Sequence, residues 1–226
     1  MKRNNCISYS FLRVSYFLVL TSIFIVQGCN PIPRTSFSSK NLGIQFDFPE
    51  GWSELSWLEL NKQKIQRNKY DIIIIGDPNR RATVKLSDIT PLLKDRNFQY
   101  LYQCYRYSKL FREAMSGRRK RETLSEEGQK IAEYLGFLTG MFERSASENL
   151  TEYKLERRGA ITLAGLPVGE LVYEGHKPGE KQSWTRLFVM IWKDKVFILR
   201  FRVPVEYKED YVQAFQYIES SWEWID

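Results

Sequence analysis

The chain has one histidine, His176, and three cysteines, Cys6, Cys29 and Cys104, in 226 residues. A histidine-based zinc site needs more than one imidazole, and a Cys–His nucleophile needs both partners free, so neither chemistry is expected here. His176 stands in Gly175-His176-Lys177-Pro178-Gly179, a turn composition with no nucleophile beside it, and it reads as an exposed turn residue. Glycine-rich phosphate loops are missing, since Gly136-Phe137-Leu138-Thr139-Gly140 lacks the lysine and the preceding strand of a P-loop. Asp71, Asp77, Asp88 and Glu170 are the carboxylates considered for an acid/base pair, and no spacing singles out two of them. No internal repeat or long low-complexity segment occurs. No cofactor, metal site or catalytic residue is therefore expected, and the chain is read as a non-enzyme. Acids are also missing from the first 28 positions, where Lys2, Arg3 and Arg13 are the charged residues.

What is present begins with that N-terminus. Val14 to Val26 is apolar apart from Ser15, Thr21 and Ser22, and the run ends Ile25-Val26-Gln27-Gly28-Cys29. Thirteen residues fall short of the roughly 20 that a helix needs to cross a hydrocarbon core, but suit the core of a signal peptide. With a small residue directly before a cysteine, residues 1–28 resemble a bacterial lipoprotein signal. The resemblance implies cleavage before Cys29, a thioether from its thiol to diacylglycerol, and acylation of the freed amine. Two or more chains, at about 0.8 kcal/mol per buried methylene, make such an anchor lasting. The chain is thus expected in the bacterial cell envelope as a membrane lipoprotein, with Asn30 favouring the outer membrane. The alternatives are an ordinary signal cut near Gly28, which releases a soluble product, and an uncleaved anchor helix.

Loss of residues 1–28 leaves 198 of the 226 and takes three cations, so the net charge falls from +7 to +4. That weakens a nucleic-acid reading, and none is made. Cys6 leaves with the signal and Cys29 takes lipid, so Cys104 has no intramolecular partner and is expected as a buried, inert thiol. A chain with 43% hydrophobic and 15% aromatic residues is globular in composition.

Residues 29–40, with Pro31, Pro33 and several Ser/Thr, read as the anchor cysteine and a tether, and a single domain is expected over 41–226. Ile44 to Phe48 alternates like a half-buried strand, Tyr70 to Ile75 reads as a strand covered on both faces, and Ala82 to Leu86 as the next. Phe98, Leu101, Cys104, Tyr105, Phe111 and Met115 share one helical face. Thr123-Leu124-Ser125-Glu126 fits a capping box, opening a second stripe of Ile131, Tyr134, Leu135, Leu138, Met141 and Phe142. Two hairpins follow, one over Tyr153–Glu174 with Ala164-Gly165 as its turn and one over Trp184–Val203 turning at Lys193-Asp194-Lys195. Tyr207, Tyr211, Phe215, Ile218 and Trp222 close the chain as an amphipathic helix. The order predicts an α+β fold, an antiparallel sheet covered by helices.

Gly43-Ile44-Gln45-Phe46-Asp47-Phe48-Pro49-Glu50-Gly51-Trp52, Leu163-Ala164-Gly165-Leu166-Pro167, and Lys193 to Phe201 followed by Ile218-Glu219-Ser220-Ser221-Trp222 together resemble PsbP-like and Mog1-like domains. The resemblance spans Asn41 to Trp222 and implies an α/β/α sandwich with a non-enzymatic accessory or interaction role. Its motifs are turns and core, so no functional residue is carried over. Residues 97–147 read as a helical insertion. Within it Arg118-Arg119-Lys120-Arg121 is the sharpest charge run, either a solvated connector or a patch for an anionic surface or acidic partner. The expected partners are the membrane, through lipid on Cys29, and a protein or other envelope component. An envelope small-ligand binder with an aromatic pocket is the alternative, and an envelope enzyme the second.

Overall fold

Alternating burial from Ile44 to Phe48 builds strand β2, whose Ile44, Phe46 and Phe48 point into the interior. The computed structural model describes residues 35–62, 65–79, 81–96 and 121–225. Strand β1 (Thr35–Ser39) pairs antiparallel along one side of β2, and β10 (Glu223–Trp224) pairs along the other. This three-stranded sheet packs over a larger one. The second sheet holds β3 (Ser53–Glu54), β4 (Asp71–Gly76), β5 (Thr83–Asp88), β6 (Thr151–Leu163), β7 (Leu166–His176), β8 (Ser183–Trp192) and β9 (Lys195–Pro204). Its order is β3-β4-β5-β9-β8-β7-β6, with every pair antiparallel. Four α-helices, α1 (Trp57–Lys62), α2 (Thr90–Arg96), α3 (Arg121–Asn149) and α4 (Lys208–Ser220), and one 3-10 turn (Val205–Tyr207) complete the described residues.

The larger sheet is covered on both faces, which makes the molecule an α+β sandwich as the element order predicts. On one face, Phe188, Phe197, Leu199 and Phe201 meet Phe46 and Phe48 of the small sheet and Phe215 and Ile218 of α4. Aromatic rings fill this layer by contact with one another: Phe46 stacks on Trp222 at 5.0 Å and Phe201 lies 4.8 Å from Phe215. Trp184 stacks on Phe215 at 6.1 Å, within the range in which ring pairs attract. Trp52, Trp184, Trp192 and Trp222 are therefore core, whereas Trp57 is exposed. On the other face, Ile131, Tyr134, Leu135 and Leu138 of α3 pack with Leu171, Leu187, Val189 and Ile198. Leu55 and Leu60 cover Ile74, so β4 is buried on both sides.

Two turns show local sequence setting geometry. Ala164 and Gly165 both take positive φ, at 47° and 81°, which is the two-residue hairpin conformation whose twist matches the flanking strands. Gly43 at φ 69° closes the β1–β2 turn through its N–H to the Ser39 carbonyl at 2.9 Å.

Several expectations are corrected. The stretch read as a tether contains β1 from Thr35, with Phe37 as its apolar contact against Phe46. Main-chain pairing with β2 supplies the order that its polar side chains do not. Thr123 does not begin the second helix, because α3 is already helical at Arg121. A capping box instead forms at Ser56, whose N–H donates to Glu59 Oε2 at 2.8 Å while Glu59 N–H meets Ser56 Oγ at 3.4 Å. His176 is not a freely exposed turn residue. It ends β7 opposite Thr151, its side chain is 20% exposed, and Nε2 lies 3.8 Å from Glu152. Met141, read as inward, is exposed on α3. The helix predicted over Phe98 to Met115, with Cys104, lies outside the described residues.

Candidate docking surface

α3 approaches the sheet at Gly169. A Cβ there would stand 2.2 Å from Thr139 Oγ1 and 3.2 Å from the Leu135 carbonyl oxygen, so only glycine admits the helix at this distance. Thr139 is fully buried, and its hydroxyl donates back to the Leu135 carbonyl at 2.6 Å. With Leu135 and Leu138 held inward, the neighbouring positions Gly136, Phe137, Gly140, Met141, Arg144, Ser145 and Glu148 turn away from the core. Together with Arg158 of β6 they line an open groove of about 690 Å³. Phe137 is 46% exposed and Met141 38%, and Leu155 on β6 is 41% exposed. Arg158, which lines the groove, is paired with Glu143 of α3. Tyr153, also on β6, has its hydroxyl buried without a partner, and burial together with the nearby Glu143 charge pushes it up to about 12.

On the opposite face, charged groups are locked together. Glu170, 1% exposed, accepts from Arg157 Nε at 2.7 Å and from Arg186 Nε at 2.7 Å. Arg186 also donates to Glu219 of α4 at 2.6 Å. Burial pushes the Glu219 carboxyl up to about 7, because Arg186 offsets only part of its desolvation and Glu170 adds repulsion. Beside it, burial alone would raise Glu156, but hydrogen bonds from Lys208 and Trp184 bring it below the usual carboxylate range. A bulge between Leu155 and Arg157 turns Glu156 and Arg157 toward this same face.

The four carboxylates picked out from the sequence each have their own donors. Asp71 accepts from Ser87 Oγ at 2.7 Å and Lys85 Nζ at 2.6 Å. Asp77 accepts from the N–H groups of Asn79, Arg81 and Ala82 and from the Tyr211 hydroxyl. Asp88 meets Lys195 Nζ and the Thr90 N–H, at the start of α2. Glu170 is the centre of the arginine network. These partners make each carboxylate a structural tie. Among the described residues no group of three or more His, Cys, Asp or Glu side chains is placed to hold a metal ion.

Cys29, Arg118, Arg119 and Lys120 lie outside the described residues, and Arg121 is the first residue of α3. The groove residues were not picked out from the sequence. Phe137 carried the available signal, being a large apolar side chain out of phase with the Tyr134–Leu138 stripe. Among the described residues no helix is long and apolar enough to cross a membrane.

No protein-family model matches the chain, and no curated protein sequence matches it. Similar backbones occur among solved structures. The cyanobacterial PsbP protein CyanoP of Synechocystis sp. PCC 6803 shares 14% identity over 87% of this chain and 95% of its own, with a TM-score of 0.45. LpqN of Mycobacterium tuberculosis, described as involved in cell envelope biogenesis, shares 16% over 91% and 96%, with a TM-score of 0.42. The Ran-binding protein Mog1p of Saccharomyces cerevisiae shares 8% over 87% and 97%, also with a TM-score of 0.42. Likeness at this level carries no argument about partner or activity.

Proposed function

We propose that this protein is a non-catalytic docking domain of the bacterial cell envelope, held at the membrane by lipid on Cys29, and that it receives its partner in the groove between α3 and β6. The observation that carries the reading is the groove itself: Phe137 and Met141 stand exposed beside Arg144 and Arg158, along the outer edge of the larger sheet. Apolar side chains rimmed by charge are the composition of recognition surfaces. The run Arg118-Arg119-Lys120-Arg121, leading into α3 in the sequence, would add about 1 kcal/mol per residue against an anionic surface. The lipid anchor would confine the domain to the bilayer surface and raise its effective concentration for partners there.

Two measurements test this. Intact mass and detergent partitioning of the bacterially expressed chain, beside Cys29→Ser, should give an acylated product beginning at Cys29 that the variant loses. An unlipidated wild-type product in the aqueous phase removes the anchor. A photo-crosslinking residue at Phe137 should yield one discrete adduct in cells, while the same residue at the exposed position Glu209 on α4 yields none. Equal labelling at both positions removes the groove as the docking surface.

A further inference from the structure

Among the described residues strand β6 is the outermost strand of its sheet, and its two halves are built differently. The first half is irregular and charged: its register with β7 slips between Thr151 and Lys154 and again between Leu155 and Arg157. Bulges and alternating charge are the usual protection of an exposed edge against pairing with another strand. The second half has no bulge, and beyond Arg158 it has no charge. From Arg157 to Leu163 the register with β7 is unbroken, and Gly159-Ala160-Ile161-Thr162-Leu163 carries no charge.

We infer that this unprotected half of β6 pairs with the same segment of a second copy of the chain, antiparallel and centred on Ala160, joining two seven-stranded sheets into one. The inference rests on the docking reading above and names its partner.

Three features select a second copy. The first is hydrogen-bond phase. Leu163 and Leu166 close the two-residue hairpin turn, so Leu163, Ile161 and Gly159 direct their N–H and C=O groups toward β7. Thr162, Ala160 and Arg158 then direct theirs outward. Pairing centred on Ala160 sets Ala160 against Ala160 and Thr162 against Arg158 of the other copy, so every outward group meets an outward group. The second is shape. The same register sets Ile161 against Gly159 of the second copy, where a Cβ would meet nothing within 4 Å. A large side chain thus faces open space on both sides of the two-fold axis, the self-complementarity a symmetric interface requires. The third is charge. Each Arg158 lies opposite Thr162, so no like charges are directly opposed. The groove then has an occupant. The two α3 helices come to flank the junction on one face, and Phe137 and Met141 from each side point into the space between them.

The test is the oligomeric state of the full chain in detergent, with the Cys29→Ser chain measured in buffer, by sedimentation equilibrium. A dimer is expected. Ala160→Pro removes an N–H that points outward and leaves the bonds to β7 in place, so the fold should persist while the dimer dissociation constant rises at least tenfold. Ala160→Lys sets two ammonium groups against each other and should do the same. In a Cys6→Ser, Cys29→Ser, Cys104→Ser background, Ala160→Cys should form an intermolecular disulfide on mild oxidation, since directly opposed residues lie within bridging distance, and Lys154→Cys should not. A wild-type monomer, or a dimer untouched by both Ala160 variants, overturns the inference. If the chain is a monomer and the Phe137 crosslinker still gives a single adduct with a different protein, this inference fails and the docking reading stands. If that crosslinker gives no specific adduct either, both fail.

Discussion

Replacing Glu219 by glutamine removes a visible ion pair, and the geometry predicts that it stabilises the protein at alkaline pH. The Glu219 side chain is 15% exposed and accepts from Arg186 at 2.6 Å. That arginine is already committed to Glu170, which is 1% exposed and lies 2.7 Å from Arg186 Nε. One guanidinium is thus shared between two carboxylates. Burial dominates, and the Glu219 pKa rises from 4.5 to about 7. Below pH 4.5 the group is protonated in both folded and unfolded chains; above pH 7 it is ionised in both. Between the two, the folded protein keeps a proton that the unfolded chain has released. Its contribution to stability is therefore present at low pH and lost as pH rises through about 7. A shift of this size corresponds to at most about 3 kcal/mol. Glu219→Gln never ionises, so it should match the wild type near pH 4 and exceed its stability at pH 8 by up to about 3 kcal/mol. Urea unfolding followed by tryptophan fluorescence at both pH values measures this, and the variant-minus-wild-type difference cancels other titrating groups. A glutamine variant less stable than the wild type at pH 8 would refute the reasoning, because it would mean the Arg186 contact outweighs the cost of burying the charge.

Other outcomes follow from single contacts. Gly169→Ala drives a methyl into Thr139 Oγ1 and should cost about 1–3 kcal/mol in thermal unfolding, partly recovered by adding Thr139→Ala. Tyr211→Phe removes one of four donors to Asp77 and should cost about 1 kcal/mol, whereas Asp77→Ala strands three backbone N–H groups and should cost clearly more in denaturant titration. Burial, then the Asp77 hydrogen bond, pushes the Tyr211 hydroxyl up to about 12, and Tyr153 rises to about 12 as well. Ultraviolet absorbance titration should therefore leave Tyr153 and Tyr211 largely un-ionised at pH 11 until the protein unfolds, and Tyr153→Phe and Tyr211→Phe should each remove part of the late-ionising absorbance.

Periodicity made the strand cores legible because burial on one side leaves a period of two. Ile44, Phe46 and Phe48 are the clearest case, and the paired positive φ at Ala164 and Gly165 is the turn their sequence predicts. Strand β1 was not legible, because edge pairing through the main chain leaves almost no side-chain pattern. Glu170 was visible as a residue but not as the centre of a network. Its phase held the signal: it shares a face with Val168 and Val172, both buried, so a carboxylate there required a cation. Arg186 repeats the pattern between Trp184 and Phe188. Which arginine meets which glutamate depends on three neighbouring strands and a distant helix, and no local pattern encodes that. The groove was hidden for a related reason: the stripe on α3 gives its inward face, while the register of that face against Gly169 decides what remains outside.

That register also explains why Phe137 and Met141 stay exposed. A helix resting on ordinary side chains could roll a few tens of degrees and bury part of such a pair against β6. At Gly169 the backbone of β7 lies directly beneath Thr139 and the Leu135 carbonyl, and the contact leaves no room for even one methyl group. Rolling α3 toward β6 would lift Leu135 and Leu138, both at most 1% exposed, out of the core. Uncovering either would cost about 1.5–3 kcal/mol. The exposed pair returns less, because Phe137 and Met141 are already more than half covered. The apolar wall of the groove is thus a consequence of tight packing beneath it.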